Sequence, residues 1–428
     1  MCHSLYRLLC WLVLPLALLR LAVRGFKQRD YFFHWNERLS LATHRQADIW
    51  IHAVSLGESK LATRLAEEIQ FQFRQKHPTG LRIIFSCTTP TGRRHLAGWI
   101  KNNPATQLAY KPFDCLLLQR RILNQVTPRI VVCIETELWP NLICECLVRG
   151  IATFVVNARL SRHSAKKQSR LLKLFRPLLR STNLLVQDQA SLRRFSVLAG
   201  KEPKAGLLTN CGNSKFDLQL QLNPDTQRLL AAATVPDEGG LRIICGSIRR
   251  DESEELMAQV AEFLTQFPQH RVIWVPRHPE KDGAFLSNQL KQKGLSWHWF
   301  RNVSKDANTK FTLVGGYGHL VDCYALADLV VLGGSFGHGG SHNLMEPGAL
   351  GKAIIAGPSQ HNFALAHSLF FKERAIVHLT SSIQLAAALE RLAEDAQQRK
   401  QLGNNAARLV GLHRGATARQ AREILLHL

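Results

Sequence analysis

Short apolar runs rich in β-branched residues alternate with longer amphipathic stretches through most of this chain. Strands that alternate with helices pair in parallel, and the helices then cover both faces of the sheet. The alternation therefore predicts an α/β fold built on parallel sheets. Amphipathic helices are predicted at residues 61–73 and 254–267, and strands at residues 49–54, 83–85, 130–134, 154–156, 184–186, 243–245, 272–275, 329–332 and 354–356.

A polar stretch with proline and glycine, residues 223–240, separates the strand–helix units into two sets and is predicted to be a linker. A chain of 428 residues is long enough for two domains. We therefore expect two Rossmann-like domains, residues 30–222 and 241–428. Ligands are expected at the carboxyl ends of the strands and in the cleft between the domains. The helical C-terminus, residues 382–428, could pack on either domain.

The first 29 residues have the composition of a membrane anchor. Residues 5–23 would form an apolar helix about 28 Å long, whereas the uncharged part, residues 8–19, reaches only about 18 Å. Since a bilayer core is ~30 Å thick, the helix either spans the membrane or lies in its interface. Four Lys and Arg residues between positions 20 and 29 place the rest of the chain on the cytoplasmic side. A cleaved signal peptide is disfavoured because no small-x-small cleavage site follows the apolar run.

The positive charge of the chain is concentrated in its first half. Residues 1–200 hold 30 Lys and Arg against 11 Asp and Glu, a net charge of +19, whereas the whole chain has +23. A partner of this half should be polyanionic: a nucleic acid, an anionic membrane or a phosphorylated substrate.

The ten cysteines do not have the pattern of a disulfide framework or a zinc site. Most lie in apolar runs, as Cys133 and Cys245 do, and no C-x-x-C pair occurs. We expect free, buried thiols in a reducing compartment and no bound metal.

The segment HAVSLGE, residues 52–58, places a carboxylate between a strand and a helix. Ser55 and Gly57 are predicted to form a tight turn, and Glu58 to lie in the first turn of the following helix. One interpretation is an acid that interacts favourably with the helix dipole. The other is a general base at the carboxyl edge of the sheet.

The segment ETELWP, residues 135–140, follows a predicted buried strand directly. Two carboxylates at alternate positions there are costly unless they are paired or used in chemistry. An ion pair or a helix cap is one interpretation. The other is an active-site acid, for which Glu135, nearest the strand end, is preferred.

A glycine-rich loop, residues 333–342, follows the strand at 329–332, and a helix is predicted to begin near Asn343. Glycines allow a ligand to approach the backbone closely, and N–H groups at a helix start suit a phosphate. Glu346 could accept hydrogen bonds from a ribose diol. Arg277 and His278, after another strand, offer cationic donors for the same phosphate.

Basic residues recur at a spacing of three or four between positions 159 and 180, with no acid among them. This spacing predicts one face of a helix that Pro177 bends or splits. A solvated surface is the ordinary interpretation, and a face that binds anionic lipid is the one favoured by so many cations. The residues are Arg159, Arg162, Lys166, Lys167, Arg170, Lys173, Arg176 and Arg180.

Seven short motifs occur in order along the chain: HAVSLGE (52–58), TTPTG (88–92), ETELWPN (135–141), NARLS (157–161), NSKFD (213–217), PRHPE (276–280) and GGS…HN…E (333–346). Together they resemble the Kdo transferases, which add 3-deoxy-D-manno-octulosonic acid (Kdo) to a lipid A precursor in Gram-negative bacteria. The resemblance implies a GT-B fold and an inverting transfer from CMP-Kdo that needs no metal or cofactor. It also implies a bis-phosphorylated lipid A precursor (lipid IVA) as acceptor, anionic lipids as partners and a place at the inner face of the cell inner membrane.

The resemblance also implies roles for single residues. Glu58 matches the family's general base, which would take the proton of the acceptor's primary hydroxyl, and Glu135 matches its second essential carboxylate. The positions that would bind the donor are Lys215, Arg277, His278, Gly333, Gly334, Ser335, Asn343 and Glu346. Those that would face the acceptor or the membrane are Ser55, Gly57, Thr91, Gly92, Arg159, Arg162, Lys166 and Arg170.

Two segments depart from the family pattern. GSIRRDE at 246–252 stands where the family commonly has GSTHxGE, so the roles of that Thr-His pair do not extend to Ile248 and Arg249. GSHNLME at 340–346 stands where the family has GGHNPLE, which keeps the Asn and the Glu. A GT-B transferase with another nucleotide sugar, such as a lipid A disaccharide synthase-like enzyme, is the alternative. A nucleic-acid-binding protein is disfavoured by the anchor and by the lack of basic–aromatic interleaving.

Overall fold

The computed structural model describes residues 2–160, 176–200, 208–218, 220–300, 309–361 and 363–428. The chain folds into two compact units. The first consists of Met1–Asp217 with Arg414–Leu428, and the second of Leu218–His413.

A parallel sheet forms the centre of the first unit. Its seven strands, in the part of the chain that the structure describes, are β1 (Ile49–Ala53), β2 (Ile83–Cys87), β3 (Thr106–Tyr110), β4 (Ile130–Ile134), β5 (Ala152–Ala158), β6 (Asn183–Val186) and β7 (Leu208–Asn210). They lie in the order β3-β2-β1-β4-β5-β6-β7, with Ile51 of β1 opposite Phe85 and Val132. This is a doubly wound order, which brings the ends of β1 and β4 side by side.

Helices connect these strands. They are α1 (Cys2–Lys27), α2 (Trp35–Arg38), α3 (Leu56–Arg74), α4 (Pro90–Ile100), α5 (Leu116–Val126), α6 (Pro140–Val148), α7 (Arg176–Ser181) and α8 (Gln189–Ala199). In α3, Leu61, Leu65 and Ile69 recur every four residues and are buried against the sheet. Helix α1 is long and apolar enough to cross a membrane by length and composition.

The second unit repeats this plan. Its helices are α9 (Pro224–Ala233), α10 (Arg250–Gln266), α11 (Pro279–Gln292), α12 (Leu320–Leu326), α13 (Met345–Ala349), α14 (Ala364–Lys372), α15 (Leu385–Glu394) and α16 (Ala396–His413). Its parallel strands are β8 (Arg242–Ile248), β9 (Arg271–Pro276), β10 (Trp297–Phe300), β11 (Phe311–Val314), β12 (Leu329–Leu332), β13 (Ala353–Ala356) and β14 (Val377–His378). Their order is β10-β11-β9-β8-β12-β13-β14.

The α/β class with parallel sheets is confirmed, and every predicted strand falls within an observed one except that predicted at 49–54, which runs one residue past β1. The boundaries of the two units differ from those of the two predicted domains. The predicted linker at 223–240 contains α9, which packs on α12 within the second unit. The last helix, α17 (Ala416–Leu425), packs on α3 in the first unit instead of ending the second. The nine cysteines with described side chains are free thiols, seven of them buried.

Asp217 holds the last helix in place. Its carboxylate accepts hydrogen bonds from the backbone N–H groups of Gly415 and Thr417, each at 2.6 Å, at the start of α17. Arg419 on the same helix donates from Nε to the Cys211 carbonyl at 2.9 Å. The first four N–H groups of a helix lack partners inside it, so an anion at this position satisfies and stabilises the helix start.

We expect Asp217→Ala to lower the free energy of unfolding by about 1–2 kcal/mol, because both acceptors at the start of α17 are lost. A lower midpoint in a thermal melt followed by circular dichroism would show this. Glu238→Ala, at an exposed loop position, is the control and should melt like the wild type. Equal midpoints for all three proteins would mean that the carboxylate does not hold α17.

Candidate active site

Glu58 lies where β1 ends and α3 begins. Its Oε2 accepts a hydrogen bond from the Val54 N–H at 2.7 Å, and its Oε1 accepts one from the Ser55 hydroxyl at 2.9 Å. Ser55 in turn accepts the Glu58 N–H at the start of α3. These contacts agree with the interpretation of Glu58 as an acid in the first turn of the helix. The same contacts fix the carboxylate in one orientation at the sheet edge, as a general base requires.

The surroundings of Glu58 raise its pKa above the ordinary value. Burial is the main cause, and the negative charge of Glu135 adds to it, while the two hydrogen bonds and Lys215 act in the opposite direction. Gly57 beside it is exposed, and a side chain there would meet nothing nearer than the Ser55 Oγ at 3.9 Å. Packing therefore does not require a glycine at 57, and the space next to the carboxylate is open.

Glu135 follows β4 in a left-handed backbone conformation, with φ at 61°. Such a conformation is strained for a side chain other than glycine and is common at functional sites. The Glu135 Oε1 lies 2.6 Å from the Nζ of Lys215. The ion-pair interpretation of this segment thus holds for Glu135. Lys215, expected at the donor, lies in the first unit and contacts this carboxylate.

A second residue with positive φ places Lys215. Asn157, near the end of β5 with φ at 56°, accepts the Ser214 N–H on its Oδ1 at 3.1 Å. Ser214 begins the single 3-10 turn Ser214–Phe216 that carries Lys215. The NARLS and NSKFD segments are therefore joined through a hydrogen bond that aims the lysine at Glu135.

Glu137 is the carboxylate that the sequence analysis left without a role. Burial, together with the charges of Glu58 and Glu135, raises its pKa to about 7, against a smaller lowering by Lys111. Lys111 is fully buried, with its Nζ 4.6 Å from the centre of the Trp139 ring. Three carboxylates at one sheet edge therefore interact with each other, and Glu137 also interacts with the buried Lys111.

Thr91 and Gly92 occupy the start of α4. Thr91 is exposed, whereas Gly92 is buried, and a Cβ there would come within 2.8 Å of the Ser59 Oγ on α3. The glycine is therefore required by the close approach of α3 and α4. This packing accounts for Gly92 without a ligand.

The predicted basic face is described only at its ends. Arg159 follows β5 in an irregular segment and is not on a helix, and Arg162, Lys166 and Arg170 lie outside the described residues. In α7, the side chains of Arg176 and Arg180 donate to the Ala199 carbonyl at the end of α8. These two cations satisfy a helix C-terminus, which is a favourable place for positive charge.

In the second unit, Glu252 fixes the glycine-rich loop. Its carboxylate accepts the N–H groups of Gly334, Phe336 and Gly337 at 2.5, 3.0 and 3.1 Å, and that of Arg249 at 2.9 Å. The neighbouring Asp251 accepts the His338 N–H. Two carboxylates of α10 therefore bind four N–H groups of this loop.

The other predicted loop residues determine the conformation of the loop through close contacts and internal hydrogen bonds. A Cβ at Gly333 would lie 2.3 Å from the Ser247 carbonyl oxygen, and Gly334 has φ at 70°, so both positions require glycine. The buried Ser335 Oγ accepts the Gly357 N–H at 2.8 Å. Asn343 donates to the Glu346 Oε1 at 3.1 Å and accepts the Met345 N–H, where α13 begins.

Cations gather around His342 on this loop. Burial, together with the positive charges of Arg277, Arg249 and His278, lowers the pKa of His342 to about 4. Arg277 and His278 are exposed just after β9. The His342 Nε2 is buried and makes no hydrogen bond. A neutral imidazole among exposed cations at the strand ends suits an anionic ligand such as a phosphate.

Comparison with known proteins identifies similar sequences. Residues 33–218 match the profile of the family described as 3-deoxy-D-manno-octulosonic-acid transferase (kdotransferase). The chain is 30% identical over 384 residues to the 3-deoxy-D-manno-octulosonic acid transferase of Bordetella pertussis, covering 87% of this chain and 86% of that protein. It is 29% identical over 377 residues to the transferase of that name from Haemophilus influenzae, covering 87% and 85%.

Solved structures share the fold at low sequence identity. UDP-GlcNAc 2-epimerase from Neisseria meningitidis superposes with a TM-score of 0.60 at 11% identity, over 88% of this chain and 99% of that one. Anabaena HepE, solved with UDP, superposes with a TM-score of 0.55 at 15% identity, over 89% and 100%. At these identities the likeness concerns the fold alone.

We expect the raised pKa of Glu137 to make the protein less stable as the pH rises from about 4.5 to about 7. In this range the folded protein keeps a proton that the unfolded chain has lost, so deprotonation favours unfolding. Glu137→Gln removes that titration, and its melting temperature should fall less than that of the wild type over the same range.

Melting curves of Glu137→Gln and the wild type between pH 4.5 and 8 make this comparison. Glu238→Gln, at an exposed position, should follow the wild type. If the Glu137→Gln profile runs parallel to that of the wild type, Glu137 does not hold its proton in the folded state.

Proposed function

Since this chain belongs to the 3-deoxy-D-manno-octulosonic acid (Kdo) transferase family of glycosyltransferases, we propose that it moves Kdo from CMP-Kdo to a lipid A precursor. The two parallel sheets give it the GT-B fold. Lipid IVA, a phosphorylated disaccharide, is the proposed acceptor. The product would belong to the inner core of lipopolysaccharide.

The observation that carries the mechanism is the orientation of Glu58. Two hydrogen bonds fix its carboxylate beside the open position at Gly57, and its raised pKa makes it a better proton acceptor than an ordinary glutamate. We assign Glu58 as the general base. Its hydrogen bonds at the helix start and its catalytic role are compatible, because a carboxylate that is already fixed loses less conformational entropy when it aligns with the acceptor.

The proposed reaction is a single displacement. Glu58 takes the proton of the acceptor's primary hydroxyl as that oxygen forms a bond to the anomeric carbon of Kdo. The bond from the anomeric carbon to the phosphate oxygen breaks at the same time, and CMP leaves with the electron pair. Attack opposite to the leaving group inverts the anomeric configuration.

Glu135 and Lys215 support this step electrostatically. The lysine pairs with Glu135 at 2.6 Å and lowers the pKa of Glu58, so it keeps part of the carboxylate cluster ionised. Without that cation, the pKa of Glu58 would be higher. Glu135 is thus proposed to orient Lys215 and to stabilise positive charge that develops on the sugar.

The donor is proposed to bind in the second unit. Arg277 and His278 are exposed at the end of β9 and would contact the phosphate of CMP-Kdo. The loop of Gly333, Gly334 and Ser335 would form the wall of the donor site. Asn343 and Glu346 would bind the nucleoside. These cations would neutralise the leaving phosphate, so we propose a reaction that needs no metal and persists in excess EDTA.

The acceptor is a lipid, and helix α1 is proposed to hold the enzyme at the membrane that contains it. Its apolar side chains are largely exposed, as membrane attachment requires. The proposed place is the cytoplasmic face of the inner membrane, with anionic lipids as partners.

We expect Glu58→Gln to reduce the rate of Kdo transfer at least ~100-fold, because the amide cannot take the proton. Glutamine keeps an oxygen that accepts from the Val54 N–H, so the local fold and the binding of CMP should remain near normal. Transfer is measured with CMP-Kdo and lipid IVA, and CMP binding by calorimetry. Glu67→Gln, an exposed position on the same helix, is the matched control. Wild-type turnover by Glu58→Gln would refute the assignment of the base.

We expect Arg277→Ala to weaken CMP binding at least ~tenfold, which corresponds to the loss of about 1.4 kcal/mol of a charge-assisted contact. Arg250→Ala is the control, since the Arg250 guanidinium lies over the Phe285 ring, 4.8 Å from its centre. Calorimetric titration with CMP and with UDP measures both variants. Unchanged CMP affinity in Arg277→Ala would contradict the donor site, and tighter binding of UDP than of CMP would favour the UDP-sugar alternative.

A further inference from the structure

One side of helix α1 is less exposed than the other. The positions that are buried or half-buried recur at intervals of three or four residues, which is the spacing of a single helical face. Leu21 is 9% exposed, and Gly25 is buried. The face consists of Arg7, Cys10, Leu14, Leu18, Leu21 and Gly25.

The start of the helix is fastened to the loop before α5. The Tyr6 hydroxyl donates a hydrogen bond to the Asp114 Oδ2 at 2.9 Å, and the Cys115 thiol donates to the Cys10 carbonyl at 3.6 Å. Asp114 is buried and also accepts two backbone N–H groups at the start of α6. The Tyr6 ring packs against the buried side chain of Ile143. These contacts hold the first turns of α1 on the first unit.

The end of the helix is fastened to the same unit. The rings of Phe26 and Phe32 meet edge to face at 5.5 Å. Shortly after, the Glu37 carboxylate binds both terminal nitrogens of Arg93, at 2.6 and 2.9 Å, and the Arg38 guanidinium donates to the Thr88 carbonyl. Between the helix end and Glu37, Asp30 lies 3.7 Å from Arg94 on α4, so the chain contacts the body of the first unit three residues after α1 and again at Glu37.

These two attachments are incompatible with a helix that crosses the bilayer. From Tyr6 to Phe26 the helix rises about 30 Å, at 1.5 Å per residue. A bilayer core is also ~30 Å thick, so a spanning helix would place its two ends on opposite sides. Both ends contact one folded unit, which lies on one side. We propose that α1 lies in the plane of the membrane interface, with its outer face in the lipid.

The exposed face fits an anionic bilayer surface. Its exposed side chains are mostly large and apolar, with Trp11 among them, a residue typical of membrane interfaces, and Arg20, Arg24 and Lys27 are exposed toward the end of the helix. The first 29 residues contain five Lys and Arg and no Asp or Glu, so the charge is complementary to anionic headgroups. The exposed apolar side chains are Leu8, Leu9, Trp11, Leu12, Val13, Leu16, Leu19, Val23 and Phe26.

This inference deepens the proposed membrane attachment and does not depend on the transfer reaction. It predicts the membrane topology of the chain, because the start of α1 then lies on the same side of the membrane as the first unit. The full-length chain with one epitope at each end, in inverted inner-membrane vesicles, tests it. Without detergent, an added protease should remove both epitopes at equal rates. Loss of the C-terminal epitope with protection of the N-terminal one until detergent is added would overturn the proposal.

A pair of substitutions on the outer face tests the lipid contact. Leu12→Glu with Leu16→Glu places two charges on exposed positions, so the fold should keep its melting temperature, and binding to vesicles with phosphatidylglycerol should fall at least ~tenfold. Leu412→Glu with Leu426→Glu, at exposed leucines outside α1, is the matched control and should bind as the wild type does. Wild-type vesicle binding by the helix variant would refute the lipid contact.

Two further measurements separate this proposal from the proposed function. Vesicles of phosphatidylcholine alone should bind the wild type more weakly, and equal binding to both vesicle types would contradict the choice of an anionic surface. With the acceptor in detergent, the helix variant should keep its transfer rate. No transfer by the wild type in that assay would count against the Kdo reaction and leave the orientation of α1 intact.

Discussion

Burial of both sheet faces is the constraint on which the rest of this structure depends. The central strands of each sheet are fully buried, so charged side chains concentrate at the strand ends. There the backbone itself is strained, with positive φ at Glu135, Asn157 and Ser247. In the first unit these ends bring carboxylates to Lys215, and in the second they bring Glu252 to the glycine-rich loop. An ion pair in the first unit and hydrogen bonds to a carboxylate in the second thus hold the two candidate sites in shape.

The same constraint explains which strands could be predicted. Strands buried on both faces are continuous apolar runs, so β4 and β12 were located to the residue. The unpredicted strands are the four edge strands β3, β7, β10 and β14, and β11 next to an edge. Edge strands have one neighbour and mixed composition, as TQLAY in β3 and WHWF in β10 show. The end of the first unit could not be placed either, because the capping contact of Asp217 joins residues 200 positions apart.

The position of a candidate site residue at a strand end was predictable where the chain itself brings it there, as for Glu58, Glu135 and Arg277. Residues whose role depends on distant partners were missed. Glu252 was given no role from the sequence, yet it binds a loop 82 residues away. The raised pKa of Glu137 and the lowered pKa of His342 arise from burial among charges from separate segments. The ETELWP segment did contain a signal for Glu137, because two acids directly after a buried strand are costly unless they are paired or used in chemistry.

The central claim is that this chain joins Kdo to a lipid A precursor. The most direct measurement is the mass of the lipid product after the purified full-length protein is incubated with CMP-Kdo and lipid IVA. The account predicts new species heavier than lipid IVA by whole Kdo residues, with release of CMP. Unchanged lipid IVA after incubation with an excess of CMP-Kdo would contradict this claim.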